Sequence, residues 1–135
     1  MPLALLHEEL TGLVRQVSYE THLYFGTGFL EKVYENALAQ RLRKRGLEVL
    51  QQVPVVVRDE DGTEVGNYHA DLLVNGVLIV ELKAVKTLAS EHWAQLINYL
   101  KATRYEVGLL INFGSSKFQF RRVAFTRDEE TIAGL

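Results

Sequence analysis

The chain has 135 residues, of which 47% are hydrophobic and 24% charged, with a formal net charge of −2 and no cysteine. That length supports one core burying roughly two-thirds of the unfolded surface, and the lack of cysteine excludes disulfides and thiolate metal sites. No apolar run approaches the ~20 residues of a membrane span, and Glu8 and Glu9 come too early for a secretory leader, so a cytoplasmic protein is expected; the slight negative charge argues against a general polyanion binder but permits a local basic surface.

Leu3, Leu6, Leu10, Leu13 and Val17 recur at helical spacing, which predicts an amphipathic helix over 3–24, a packing element within an N-terminal segment 1–25. Phe25-Gly26-Thr27-Gly28 then breaks the helix, because glycine admits the positive φ of a tight turn. A second helix is expected over 29–45, ended by Gly46, with Arg41, Arg43, Lys44 and Arg45 at the negative end of its dipole. Glu31, Tyr34, Glu35 and Leu38 lie three and four apart on one face. Taken alone, Glu31 is a first-turn acid that complements the dipole.

After Gly46 the period changes to that of a strand over 47–58, and Pro54, lacking an amide donor, assigns it to a sheet edge or a bulge. Asp59-Glu60-Asp61-Gly62 is an acidic turn, and 63–74 is the next strand. A third helix over 91–103, with Ser90 as its N-cap, carries Gln95 and Tyr99 on one edge. Strands over 105–113 and 117–125 enclose a Gly114-Ser115-Ser116 turn, and the tail from Thr126 to residue 135 reads as mobile. The order αα-βββ-α-ββ predicts one α/β (α+β) domain over 1–135. Its mixed central sheet has a three-stranded meander and a right-handed helical crossover to a parallel strand.

The segment 68–83 is oddly composed. Two aliphatic runs flank Asn75-Gly76, a strong hairpin signal, and yet Asp71, Glu81 and Lys83 sit in what should be buried strands. A two-residue loop would set Asp71 and Glu81 on opposite faces. A three-residue loop, Val74-Asn75-Gly76, would pair Leu73 with Val77 and Asp71 with Ile79, placing His69, Asp71, Glu81 and Lys83 on one face with Asp71 diagonal to Glu81. The latter is expected. Two carboxylates ~4 Å apart would repel by about 4 kcal/mol at an effective dielectric near 20. A hard divalent cation would relieve this, but so, in part, would a plain Asp71–Lys83 ion pair with Glu81 in solvent. Spacing alone does not choose between them.

Gly28-Phe-Leu-Glu31-Lys-Val-Tyr34 resembles the namesake motif of the GxxExxY protein family, which is similar to the PD-(D/E)XK nuclease superfamily. The likeness runs over nearly the whole chain. Asp71 matches the strand aspartate, Glu81-Leu82-Lys83 the E-x-K element, and Gln95 with Tyr99 the Q-x-x-x-Y of RecB-like members; Ala70 departs from the proline of the superfamily name, at a position that commonly varies. The resemblance implies a restriction-endonuclease-like core and metal-dependent hydrolysis of nucleic acid, with DNA the expected form. Asp71, Glu81 and the Leu82 carbonyl would ligate Mg²⁺ or Mn²⁺, with Glu31 holding a second ion or acting through water. Lys83 would complete the catalytic set Glu31, Asp71, Glu81 and Lys83. Gln95 and Tyr99 would meet the substrate strand or Lys83, and Tyr34 would brace Glu31 beside the substrate. His69 and His92 make a poor zinc site without a third ligand. No membrane partner is implied, and a homodimer is permitted. The competing class is a non-catalytic nucleic-acid or protein-interaction module on the same fold.

Overall fold

A single sheet, with strands in the order β1-β2-β3-β4-β5, organises the structure. The structure, a computed structural model, describes residues 7–125. Leu3, Leu6 and the tail over 126–135 lie outside the described residues. The elements follow the expected order: α1 (Glu8–Phe25), α2 (Glu31–Lys44), β1 (Val49–Arg58), β2 (Glu64–Val74), β3 (Leu78–Lys83), α3 (Ser90–Ala102), β4 (Val107–Asn112) and β5 (Gln119–Ala124). β1, β2 and β3 are antiparallel, β4 runs parallel to β3, and β5 returns antiparallel to β4.

Each face of the sheet buries its own apolar cluster. Leu72, Val74, Val80, Leu82, Leu109 and Ile111 pack with Val14 and Val17 of α1 and Tyr34, Leu38 and Leu42 of α2. Leu73, Ile79 and Leu110 pack with Leu96, Tyr99 and Leu100 of α3. Alternation along β3 therefore sends Glu81 and Lys83 to the α3 side. β2 changes phase: Ala70 belongs to the α3 cluster and Leu72 to the opposite one, so the strand turns about Asp71.

All three helix starts differ from the sequence reading, α2 beginning at Glu31 with Leu30 as its cap and not at Phe29. His7 has φ 56, so helix does not run through it and α1 begins at Glu8. Ser90 is the first residue of α3 and not its cap; Ala89 occupies that place, and its N–H donates to His92 Nδ1 at 3.0 Å. The end of α2 is as expected. Gly46, φ 85, donates to the Arg43 carbonyl and Leu47 to that of Leu42, a Schellman closure that requires a left-handed residue. Pro54 lies on β1, an edge strand.

The central hairpin has the anticipated number of loop residues in a different frame. Asn75 and Gly76 both take positive φ, 52 and 67, and the Val77 N–H donates to the Val74 carbonyl at 3.1 Å. The ladder nevertheless pairs Val74 with Leu78, Leu73 with Ile79 and Leu72 with Val80, which leaves Val77 as the extra residue. The expected pairs Leu73–Val77 and Asp71–Ile79 are thus shifted by two along β3. The cause is a two-way tie between Asn75 and Glu48: the Asn75 N–H donates to the Glu48 carbonyl at 2.8 Å, and Asn75 Oδ1 accepts from the Glu48 N–H at 2.9 Å. This places the left-handed pair at 75 and 76 and the bulge after them. Continued one step, the register sets Asp71 opposite Glu81, not diagonal to it.

Beyond Lys83 the chain is clamped by Asn112, which is fully buried. Its Oδ1 accepts from the N–H groups of Val85 and Gly114, each at 3.0 Å, and its Nδ2 donates to the Val85 carbonyl at 2.8 Å and to Gln119 Oε1 at 2.7 Å. A Cβ on Gly114 would run into the backbone of Ala84 and Val85. Gly114→Ala should therefore destabilise the fold by about 2–3 kcal/mol, the cost of overpacking against backbone that cannot retreat, read as a lowered urea midpoint at unchanged slope. An unchanged midpoint would contradict this packing.

Candidate active site

The β2–β3 ladder stops at Leu72–Val80, and side chains take over where backbone bonds would continue. The Asp71 N–H donates to Glu81 Oε1 at 2.9 Å, and the Leu82 N–H donates to Asp71 Oδ2 at 2.8 Å. Buried amides must find acceptors, and here two carboxylates supply them while the strands part. Asp71 is 9% exposed and Glu81 4%. The Lys83 carbonyl is taken by the Phe113 N–H at 2.8 Å, so Lys83 turns its backbone toward β4. Leu82, one residue earlier, turns its N–H and with it its carbonyl to the Asp71 side.

No ammonium forms an ion pair with these two carboxylates among the described residues, although the charge of Lys83 acts on both to lower their proton affinity. Among the described residues the one ion pair is Lys32 with Glu35, at 3.1 Å, and Lys83 Nζ donates to Gln95 Oε1 at 3.3 Å. The plain Asp71–Lys83 ion pair is thus not formed. Burial, and next the charge of Asp71, pushes Glu81 up to about 8. Asp71 is itself raised by burial against the lowering effect of the Leu82 N–H and the Gln52 amide. Glu31, at the first position of α2, is raised by burial and then by Asp71, with Lys83 opposing. Tyr99 is pushed up to about 12 by burial and then by Glu81 and Asp71, which keeps it a phenol. Glu31, Asp71, Glu81, Lys83, Gln95 and Tyr99 thus share one electrostatic neighbourhood.

Tyr34 does something other than was expected. It is fully buried, which removes it from contact with a substrate strand, and its hydroxyl does not bond Glu31. It stacks on Phe113 at 4.8 Å, donates to the Gly26 carbonyl at 2.6 Å and accepts from the Phe29 N–H at 3.3 Å. Those bonds fix the loop in which Gly26 and Gly28 take φ 67 and 108, and the loop sets where Glu31 enters α2. His69 is exposed on the edge pair with Pro54.

Two residues were not placed at the site by the sequence reading, Gln52 and Glu35, the latter noted there only for sharing a helix face with Glu31 and Tyr34. Gln52 has φ 55, uncommon for a residue with a Cβ, and interrupts the β1–β2 ladder opposite Asp71. Its Nε2 donates to Glu35 Oε1 at 2.9 Å and to Asp71 Oδ1 at 3.2 Å. Glu35, 3% exposed, also accepts from Gln51 Nε2 at 2.8 Å and from Lys32. An acid on the buried face of a helix four residues after Glu31 was a usable signal for Glu35. Gln52 left none, since its role depends on a backbone angle.

The donors that could hold a cation are oxygens: the Asp71 and Glu81 carboxylates and the Leu82 carbonyl. Among the described residues no group of three or more His, Cys, Asp or Glu gathers about one point, so Glu31 stands outside the immediate set. Two carboxylates completed by carbonyl, water and phosphate oxygens suit Mg²⁺, which keeps much of its hydration.

A mixed sheet covered by helices on both faces, with an acidic site where a hairpin opens, is a restriction-endonuclease-like fold. The chain belongs to the PD-(D/E)XK nuclease superfamily, whose family model matches residues 8–123. A solved structure described as the crystal structure of SSO0001 is similar, with a TM-score of 0.56 and 19% identity over 75% of this chain and 52% of that one. The chain thus spans about half the length of that protein, and the likeness is one of fold. Comparison with curated proteins gives no match. Among the described residues no helix is long and apolar enough to cross a membrane.

The raised Glu81 makes a prediction about stability. An unfolded glutamate titrates near 4.5 and the folded one near 8, so between these values the folded state holds a proton that the unfolded state has lost. Metal-free stability should fall as pH rises through that window. Glu81→Gln should flatten the slope and be more stable than the parent at pH 8, by on the order of 4 kcal/mol, with the difference vanishing below about pH 4.5. Urea midpoints in EDTA from pH 4 to 9 measure this; a midpoint for the parent that climbs across the window would contradict it.

Proposed function

We propose that the protein hydrolyses phosphodiester bonds of DNA, using a divalent cation held by Asp71, Glu81 and the Leu82 carbonyl. The observation that carries this reading is the buried pair Asp71–Glu81, whose carboxylates accept from the Leu82 and Asp71 N–H groups and form no ion pair among the described residues. Such a pair costs stability and is accounted for by a ligand that brings positive charge. Within the superfamily, the Gly28-x-x-Glu31-x-x-Tyr34 element supports placement among GxxExxY proteins, since Gly28 and Tyr34 have a physical task there in shaping the approach to Glu31.

A bound Mg²⁺ or Mn²⁺ would offset the two carboxylates and polarise a phosphoryl oxygen. The chain's own groups do the rest. Gln95 holds the Lys83 ammonium on the α3 side of the site, where it meets the negative charge that builds on the phosphorus oxygens and orients the attacking water. Glu31 faces the same space from α2 and accepts a hydrogen bond from that water. Tyr99, kept protonated, donates to a substrate oxygen. Gln52 separates Glu35 from Asp71 and gives each a hydrogen bond, holding Asp71 Oδ1 in place.

Asp71→Ala and Lys83→Ala separate chemistry from binding. Asp71→Ala should weaken Mn²⁺ binding and abolish cleavage together. Lys83→Ala removes a positive charge and should leave Mn²⁺ affinity equal or higher, while cleavage falls ~10²–10⁴-fold, the usual worth of a positioned charged group. Calorimetric Mn²⁺ titrations and a cleavage panel over single-stranded, duplex and branched DNA and RNA, with Mg²⁺, Mn²⁺ or EDTA, decide it. Cleavage by the parent that persists in EDTA, or full activity in Lys83→Ala, would overturn the assignment.

A further inference from the structure

A cleft of about 780 Å³ lies between β1 and α3 and leads away from the candidate active site. Gln95, which bonds Lys83, and Tyr99, which feels Glu81 and Asp71, are part of its wall, so the cleft and the candidate site share two side chains. Its volume falls in the ordinary range for ligand clefts, roughly 300–1,000 Å³. What lines it is specific. Tyr68 is half exposed, at 51%, and its ring stands 5.8 Å from that of Tyr99. Val56, Val57 and Ala94 make an apolar floor, Asn98 adds an amide, and Arg58 and Lys101 add two cations against the one acid Glu91.

We propose that this cleft binds the unpaired nucleotides next to the scissile phosphate: a base stacks on Tyr68, and its phosphates lie against Arg58 and Lys101. Two features favour a single strand over a duplex, and a third suits its phosphates. Stacking on a side chain needs a free base face, which only an unpaired nucleotide offers. A duplex is held by an extended basic surface along both backbones, whereas this chain has net charge −2 and the cleft offers two cations against one acid. Neither Arg58 nor Lys101 has a carboxylate partner among the described residues, and the Arg58 guanidinium is set in place by the Gly62 carbonyl at 3.2 Å. Asn98 can bond base edges or phosphate oxygens, and the apolar floor accepts any base. The 2′-hydroxyl is not addressed by these groups, so the shared chemistry is that of single-stranded nucleic acid.

The cleft's register on the substrate rests on the hydrolase reading; binding in it does not. The test uses fluorescein-labelled single-stranded DNA, single-stranded RNA and a blunt DNA duplex, read by anisotropy in Ca²⁺ with intact labels verified on a gel. The parent should bind both single strands more tightly than the duplex. Tyr68→Ala should weaken single-strand binding by about 5- to 150-fold, the worth of one base stack, and Tyr68→Phe should keep it. Arg58→Ala and Lys101→Ala should each reduce the salt dependence of binding. A Tyr68→Ala protein that binds single strands as the parent does, or a parent that prefers the duplex, would overturn the cleft assignment. These readouts are independent of turnover. If the parent bound single strands through Tyr68 but cut none of the panel in any metal, the hydrolase reading would fall and the cleft would stand; metal-dependent cutting with Tyr68→Ala binding unchanged would do the reverse.

Discussion

The crossed hydrogen bonds between Asp71 and the Glu81-Leu82 step are the constraint on which the site depends. A hairpin of two central strands would ordinarily continue its ladder to the sheet's end. Here the backbone bonds cease after Leu72–Val80, and the amides of Asp71 and Leu82 are satisfied by carboxylates from the facing strand. The substitution does two things at once. It lets β2 turn away from β3, so that Ala70 and Leu72 pack on opposite faces, and it commits two acids to buried positions where burial raises the proton affinity of both and the charge of Asp71 raises that of Glu81 further.

Much of the surrounding architecture serves to keep that opening in one shape. Gln52 enters from the edge strand in a left-handed conformation and spans Glu35 and Asp71, at the cost of an interrupted β1–β2 ladder. Asn112 and Gly114 lock the chain just after Lys83, and Gln95 fixes the ammonium itself. Tyr34, stacked on Phe113, shapes the glycine loop ahead of Glu31. Residues with no chemistry of their own thus define where the acids and the lysine can stand. A strained φ and a buried polar network at such a place are what a preorganised site entails.

The order of elements was legible in the sequence because the periodicities are strong and the punctuation clear. Gly46 ended α2 as a Schellman residue, Pro54 marked an edge strand, and a continuous aliphatic run identified β3 as buried on both faces. That Asp71 and Glu81 belong together was also legible, from three loop residues in the hairpin. Their direct opposition was not, since the bulge falls at Val77 through the tie of Asn75 to Glu48, a contact between residues 27 apart. The same limit hid Gln52, whose significance lies in its φ, and Asn112, which acts through the backbone of Val85. Tyr34 was placed at the site by its motif; only its full burial shows that it works on the loop.

The most direct test of the central claim is the titration of the Glu81 carboxyl, followed by side-chain carbon NMR with and without Mg²⁺. Without metal, the resonance assigned through Glu81→Gln should titrate near 8. With saturating Mg²⁺ its midpoint should fall below that of an ordinary glutamate, because the cation favours the charged form. A Glu81 that titrates near 4.5 in both conditions would contradict the account, since the pair would then carry no unmet charge and offer no place for a cation.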